Sequence, residues 1–244
     1  NVYTTYNLQL GAEKQHAFKF MAGMNRVTNK WSSSKVTKND LIDLENPQFP
    51  FAVGDQFFEG DRNWESQLGF FGRLNYAFED KYFLEANIRR DGSSKFPDLL
   101  KWKWFPSFSA GWVFTSEEFM KPIENILSFG MFRASWGRNG DQPVSNTLYK
   151  SVLEGGQSTW LGGNGNKLPL FGTPTLVDSD ISWQQIETLD FGIDLRFFNN
   201  KFGVTFDWYR RDTKDMLVGG ESLPVTLGTT APVGNYGSLR TKGW

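Results

Sequence analysis

The chain has 244 residues, no cysteine and a formal net charge of −1, which excludes a disulfide scaffold and thiolate metal sites and gives no electrostatic footprint for nucleic acid. Aromatic residues make up 16% of the sequence, and 25 glycines and 10 prolines supply many turns, a mixture that favours β structure. No run of eighteen apolar residues occurs, so no transmembrane helix is predicted. The mean hydropathy of −0.45 remains compatible with a transmembrane barrel, which is apolar at every second position only.

Eight strands are predicted from alternating apolar and polar side chains. They cover residues 2–10, 16–25, 67–78, 82–91, 104–114, 128–137, 186–198 and 201–212. Most run to ten residues or more, whereas ordinary soluble strands have about 5 to 6 and tilted membrane strands need about 9 to 11. The lengths therefore favour an all-β, antiparallel transmembrane barrel segment.

The connections between these strands alternate in length. The short ones are 11–15, 79–81 and 199–200, and a moderate one, 115–127, contains "SEEFM", which predicts one helical turn capped by Ser116. The long ones are 26–66, 92–103, 138–185 and 213–235. Outer-membrane barrels have short turns on one rim and long loops on the other, and this parity is typical of them.

Each hairpin has one apolar face and one charged face. A lipid-facing Arg or Lys at mid-bilayer costs about 2 to 4 kcal/mol, so the charged face is expected to line a wet lumen. The predicted lumen-facing residues are Arg73, Asn75, Glu85, Asn87, Arg89, Asp190, Asp194, Arg196 and Asp207. The opposite face, which includes Leu84, Phe108, Ile193 and Val204, is expected to contact hydrocarbon.

Aromatic residues on the apolar faces cluster near the strand ends. Next to the short turns lie Phe78, Tyr82, Trp112, Phe114, Phe197 and Phe202, and near the long loops lie Trp104, Trp136 and Trp208. Rings at both ends of an apolar band match the interfacial girdles of membrane barrels. The alternative interpretation is a set of core aromatics in a soluble sandwich.

Several spaced blocks resemble the SusC/RagA family of TonB-dependent outer-membrane receptors. The blocks are "SQLGFFGRLNYAFEDKYFLEANIRRDGSSKF" at 66–96, "WFPSFSAGWVFTSEEFM" at 104–120, "FRASWGRNGDQ" at 132–142 and "ISWQQIETLDFGIDLRFFNNKFGVTFDWYRRDTKDML" at 181–217. A weaker match, "VGNYGSLRTKGW", follows at 233–244. Residues 26–67 and 150–180 match loosely, as variable extracellular loops would.

The resemblance implies a role in the import of large nutrients, oligosaccharides or peptides, across the bacterial outer membrane of Bacteroidota. It implies a barrel of about 22 strands, an N-terminal plug, a SusD-like surface lipoprotein and energy from the TonB complex. Residues 1–244 would form part of that one barrel domain, about eight strands of it, with the plug, the TonB box and the remaining strands absent from this chain. We expect the chain to begin inside a longer protein.

Candidate substrate contacts are the tryptophans of the long connections, Trp31, Trp64, Trp160 and Trp183, which would stack on sugar rings or else pack within their loops. No catalytic constellation, cofactor motif or metal-ligand spacing is present, since His16 is the only histidine and the S-x-x-K at 32–35 lies in a predicted polar loop. Two alternatives to a transporter are a soluble all-β carbohydrate-binding domain and, with less support, an outer-membrane enzyme.

Overall fold

The structure, a computed structural model, describes residues 1–11, 15–146, 148–153, 155–163 and 167–244. Its strands are β1 (Val2–Leu10), β2 (His16–Lys38), β3 (Gln56–Phe78), β4 (Tyr82–Ser93), β5 (Trp102–Trp112), β6 (Leu127–Asp141), β7 (Gly155–Leu161), β8 (Lys167–Phe171), β9 (Gln184–Phe197), β10 (Phe202–Gly219) and β11 (Val233–Gly243). Short 3₁₀ helices occupy Phe49–Phe51, Phe114–Ser116, Glu118–Ile123 and Val225–Leu227. Within these described ranges no helix is both long and apolar enough to cross a membrane, a finding that does not concern crossings made by strands.

Nine of the strands form one antiparallel sheet in the order β1-β2-β3-β4-β5-β6-β9-β10-β11. Each strand pairs with the one before it in the chain, except that the β7-β8 hairpin forms a separate two-stranded sheet between β6 and β9. An up-and-down meander of long strands is the architecture of a membrane barrel wall. It confirms the predicted fold class.

The connections keep the predicted parity. The β3-β4 and β9-β10 turns are short, whereas β4-β5, β6-β9 and β10-β11 are joined by long segments at the other end of the sheet. Residues 12–14 of the predicted short turn 11–15, and residues 147, 154 and 164–166 of the predicted long loop 138–185, lie outside the described residues.

The prediction of a loop over residues 26–66 is wrong for most of that range, because β2 continues to Lys38 and β3 begins at Gln56. The register of β2 and β3 runs unbroken from His16 opposite Phe78 to Lys38 opposite Gln56. Cross-strand hydrogen bonds support this extension, with Asn29 donating to Glu65 at 2.9 Å and Lys35 to Glu59 at 3.3 Å. Both faces of this extension are polar, so the alternation on which strand prediction depends is missing.

The main sheet has one strand more than the eight predicted, and this strand is β11. It begins in the last residues of the predicted loop 213–235 and continues through residues to which no strand is assigned in the sequence. It pairs with β10 from Tyr209 opposite Gly243 to Gly219 opposite Val233, with register shifts on the way. Its glycines lower the apparent strand propensity. At Gly243, however, a Cβ would lie 2.7 Å from the Tyr209 ring, so a small residue is required there by packing.

The connection after β5 also differs from its prediction. Phe114 does not continue the strand but begins a 3₁₀ helix, where its side chain is buried and its ring covers Gly130. Ser116 ends that helix and caps nothing, since the N-cap of the next turn is Glu117. The Glu117 carboxylate instead accepts hydrogen bonds from the Tyr82 hydroxyl at 2.6 Å and the Trp112 indole at 3.3 Å, which lower its pKa below the ordinary value.

Within the described residues, no second layer of protein covers the apolar face of the nine-stranded sheet. Leu84, Phe108 and Val204 are 52%, 54% and 38% exposed, and Ile193 is partly exposed. In a soluble sandwich these side chains would be buried against the other sheet. The soluble carbohydrate-binding alternative required such burial, and the fold does not provide it.

The main hydrophobic cluster lies at the long-loop end of the sheet. It consists of Phe96, Phe105, Val144, Ile181 and Trp183, of which Phe96 and Ile181 are each 1% exposed. The Trp183 ring lies 5.1 Å from that of Phe96 and 5.5 Å from that of Phe105. We call this cluster the loop core, because it joins the β4-β5 and β6-β9 connections to the sheet.

We expect Phe96→Ala to release both connections, because deleting a fully buried phenylalanine side chain costs about 3 to 5 kcal/mol of local packing. Limited proteolysis of the intact protein should show new cleavage within residues 94–101 and 142–183. Leu99→Ala is the matched control, since Leu99 lies in the same connection but is 96% exposed. Equal proteolysis of the two variants would contradict the role assigned to the loop core.

Candidate functional site

The nine residues predicted to face a lumen all lie on one face of the sheet. The register aligns Glu85 with Ser109 of β5, Ser109 with Ser135 of β6, and Ser135 with Asp190 of β9, so these four side chains share a face. The other predicted residues lie an even number of positions away along their strands or directly opposite such a position. We call this the charged face.

One network on the charged face joins β2, β3 and β4. Arg73 Nε donates to Asn87 Oδ1 at 2.6 Å, and Glu85 accepts from both Asn75 and Asn87 at 2.7 Å.

Arg89 extends the same network toward the long loops. It donates to Asp91 at 2.6 Å and to Asn25 of β2 at 3.0 Å. These bonds fix the orientation of the side chains while leaving them partly exposed to water.

A second network joins β6, β9 and β10 through Arg133, which the sequence analysis did not select. Its Nε donates to Asp194 at 2.6 Å and its Nη2 donates to Asp207 at 2.8 Å, while Thr205 donates to the other oxygen of Asp194 at 2.8 Å. Gly192 lies between the partners, and a Cβ there would be 2.8 Å from Arg133 Nη2. The arginine crosses β9 because that strand has no side chain at this position.

Asp190 and Arg196 complete the predicted set, each in a different environment. Asp190 lines a recess of about 630 Å³ on this face together with Glu85 and Arg133. Arg196 lies with its Cζ 5.3 Å from the ring centroid of Phe129. The charged face thus presents both signs of charge and amide groups, a surface suited to water and polar solutes.

A smaller polar recess of about 400 Å³ lies on the charged face at the long-loop end, beside the loop core. It is lined by Asn25, Arg89, Asp91, Asp141 and Gln142, among others. Asn25, Arg89 and Asp91 lie in predicted strands, but no pattern in the sequence connects them with Asp141 and Gln142. The distances along the chain are long, and only the pairing of β2 through β6 reveals the recess.

The four candidate tryptophans do not form one site. Trp183 is 4% exposed in the loop core, where its indole donates to the Lys101 carbonyl at 2.9 Å. Its ring therefore packs within the protein and has no free face for a ligand. Trp31 and Trp64 are exposed but lie in strands, on opposite faces of the β2-β3 extension. Trp160 is 77% exposed on β7.

The extension that carries Trp31 and Trp64 is braced by Glu65. Its carboxylate accepts from Asn29 at 2.9 Å and lies 3.0 Å from the Lys95 ammonium. These two hydrogen-bond partners lower the pKa of Glu65 below its ordinary value.

The described residues provide no arrangement for covalent chemistry. His16 lies on the apolar face, where its Nδ1 is 2.9 Å from the Tyr76 hydroxyl and its ring packs at a tilt against that of Phe78, away from the acids of the charged face. No group of three potential metal ligands is found among the residues that the structure describes. The charged face offers hydrogen-bond donors and acceptors and both signs of charge to a polar solute.

Comparisons with known proteins agree with this geometry. All 244 residues match the family model described as "TonB dependent receptor-like, beta-barrel". TonB-dependent receptor P26 of Formosa agariphila is 35% identical over 177 residues, which cover 72% of this chain and 17% of that protein. TonB-dependent receptor SusC of Bacteroides thetaiotaomicron is 30% identical over 248 residues, which cover 98% of this chain and 22% of SusC.

A solved structure, that of the RagAB peptide transporter, superposes with a TM-score of 0.78 at 20% identity. The match covers 99% of this chain and 26% of that chain, and at this identity it shows the fold. The chain therefore spans about a fifth of the length of its curated relatives P26 and SusC.

We expect Arg133→Gln to lower the unfolding free energy by about 1 kcal/mol, because it leaves Asp194 and Asp207 without their shared cation. We expect a small loss of unfolding free energy because the Arg133 side chain is 36% exposed, and water weakens ion pairs at exposed positions. The measurement is urea unfolding of the intact protein in lipid vesicles.

Adding Asp207→Asn to Arg133→Gln should recover part of this loss. Arg211→Gln is the control, since Arg211 is exposed on the same face and has no ion pair within the described chain. An additive double variant would contradict the coupling.

Proposed function

This chain belongs to the TonB-dependent receptor-like β-barrel family, and we propose that it forms part of the wall of a transporter that imports large nutrients. The chain is a segment of a bacterial outer-membrane barrel, and its relatives are receptors and transporters, not enzymes. The observation that carries the proposal is the division of one sheet into an exposed apolar face and a charged, hydrogen-bonded face.

In this proposal the apolar face contacts lipid and the charged face lines the lumen. Strand pairing supplies the backbone hydrogen bonds that hydrocarbon cannot. The two polar networks keep Arg73 and Glu85 bonded to neighbouring asparagines, and Arg133 bonded to Asp194, while water fills the passage. A wall of fixed polar groups of both signs offers weak contacts to a polar solute along the whole path and does not trap it at one point.

We propose an oligosaccharide or a peptide as the imported solute, a SusD-like surface lipoprotein as the partner at the long-loop rim, and the TonB complex as the source of energy. The similarity to SusC and the fold shared with a peptide transporter support these choices. Trp31 and Trp160 remain proposed solute contacts because their rings are exposed. Trp64 is exposed too, but it lies on the side of the sheet that carries the apolar face, and Trp183 is buried.

The membrane placement predicts opposite environments for two adjacent residues. A spin label at Leu84→Cys should be accessible to oxygen in lipid, and a label at Glu85→Cys should be accessible to a water-soluble nickel complex, because neighbouring side chains in a strand point to opposite faces. The measurement is electron paramagnetic resonance on the intact protein in vesicles. Identical accessibility of the two labels, or reversed accessibility, would refute the assignment of the faces.

The transport role predicts that cells lacking the intact protein stop growing on one class of polymeric nutrient and keep growing on its monomer. The reason is that monomers pass general porins, whereas large solutes need a dedicated path. Growth and uptake of labelled oligosaccharides and peptides should be measured in parallel with a strain complemented by the unaltered gene. Unchanged uptake of both classes would leave the protein without its proposed function.

A further inference from the structure

We propose that Arg90, held between two tryptophans on the apolar face, binds the phosphate of a membrane lipid at the long-loop rim. This inference rests on the proposed contact of that face with lipid. The proposed lipid would bind on the outer surface of the barrel wall, and the transport of nutrients does not itself require it.

The apolar face ends differently at its two rims. Next to the short turns, rings occupy its outermost strand positions, and Lys81 in the β3-β4 turn is paired with Glu79 at 2.9 Å. At the long-loop end, the apolar stretches of β2, β4, β6 and β10 end in arginines, which are Arg26, Arg90, Arg138 and Arg210. One rim is therefore basic on its lipid side.

Among the residues that the structure describes, two of these arginines have acidic partners and two do not. Arg138 lies 3.9 Å from Glu187, and Arg210 lies 3.3 Å from Asp212. Within the described chain no carboxylate comes within salt-bridge distance of Arg26 or Arg90, both of which are exposed. The carboxylate next to Arg90 in sequence, Asp91, points to the charged face and is paired with Arg89.

The surroundings of Arg90 hold its guanidinium in place. Its Cζ lies 5.1 Å from the ring centroid of Trp102 and 5.5 Å from that of Trp104. Trp102 also stacks on Phe70 at 6.2 Å. Gly92 makes this possible, because a Cβ at that position would lie 2.8 Å from the Trp102 ring. The rings attract the cation and leave its N–H donors free.

Arg26 lies close enough to contribute to the same anion. In the register, Arg26 is opposite Leu68 and Leu68 is opposite Gly92, so Arg26 lies in the cross-strand row next to that of Arg90. The two strands that carry the arginines are separated only by β3.

The chemistry of the site selects a lipid phosphate. A planar guanidinium with five donors matches the oxygens of a phosphate in a bidentate pair. Tryptophans 36% and 54% exposed on the lipid side are typical of the headgroup level of a bilayer. An unpaired arginine at that depth is stable when a lipid headgroup supplies its anion.

The test compares two lipids with identical acyl chains, phosphatidic acid and diacylglycerol, added to the intact protein in detergent micelles. Native mass spectrometry counts the lipids retained. We expect the unaltered protein to retain phosphatidic acid preferentially, and Arg90→Gln to lower that retention roughly tenfold, the loss of a charge-assisted pair. Arg90→Lys, which keeps the charge without the fork, should retain more than Arg90→Gln.

The matched control is Arg62→Gln. Arg62 lies on the same side of β3, exposed and without an ion pair in the described chain, but six residues beyond Leu68, or roughly 20 Å along the strand. Its loss should leave retention unchanged, and millimolar inorganic phosphate should not displace the lipid.

Three results would overturn the proposal: equal retention of the two lipids, retention by Arg90→Gln equal to that of the unaltered protein, or displacement by inorganic phosphate. The lipid comparison on the unaltered protein needs no variant, so a variant that fails to fold does not remove the test. The assay involves no transport, and the spin labels at Leu84 and Glu85 report separately whether the apolar face meets lipid.

Discussion

Backbone hydrogen bonding is the constraint on which the rest of this structure depends. In hydrocarbon no water can satisfy an N–H or a carbonyl group, so a strand can cross the bilayer only when both of its neighbours pair with it. The continuous ladder from β1 to β11 meets this demand within the sheet. Once the ladder is fixed, side chains must alternate between two environments, and the sheet has no interior of its own in which to bury either set.

The two faces solve opposite problems with different residues. On the charged face, each ionised group needs partners, and arginine supplies them across strands because its donors reach two carboxylates at once, as Arg133 does. Glycine is the complementary residue, since Gly192 lets the arginine cross an intervening strand. On the apolar face, rings and aliphatic side chains need no partner. At its long-loop end arginine appears again, and within the described chain no carboxylate lies within salt-bridge distance of Arg26 or Arg90. On this face Arg138 and Arg210 have carboxylate partners within the protein, and the partner we propose for Arg90 is the phosphate of a membrane lipid.

Packing of the ordinary kind is concentrated where the chain leaves the membrane. The loop core around Phe96 and Trp183 buries its large side chains, whereas the large apolar side chains of the sheet's apolar face are exposed. This division explains why Trp183, an aromatic in a long connection and therefore a reasonable candidate for contact with a sugar, has a structural environment instead. Where a loop folds back on the sheet, one large ring buries enough apolar area to exclude water from the contact between loop and sheet.

The sequence by itself determined the strand alternation, the parity of short and long connections, and the identity of the nine side chains that share the charged face. Alternation of polar and apolar residues is a local pattern, because successive side chains of a strand point to opposite faces. The sequence also carried the family resemblance. Only the tertiary structure decided that β2 and β3 continue as a polar ribbon, that residues 233–243 form a strand, that Arg133 joins Asp194 and Asp207, and that Trp102 and Trp104 enclose Arg90. These features depend on partners that lie far apart in the chain or on strands with water on both sides. In neither case does a local pattern of apolar and polar residues report which groups meet.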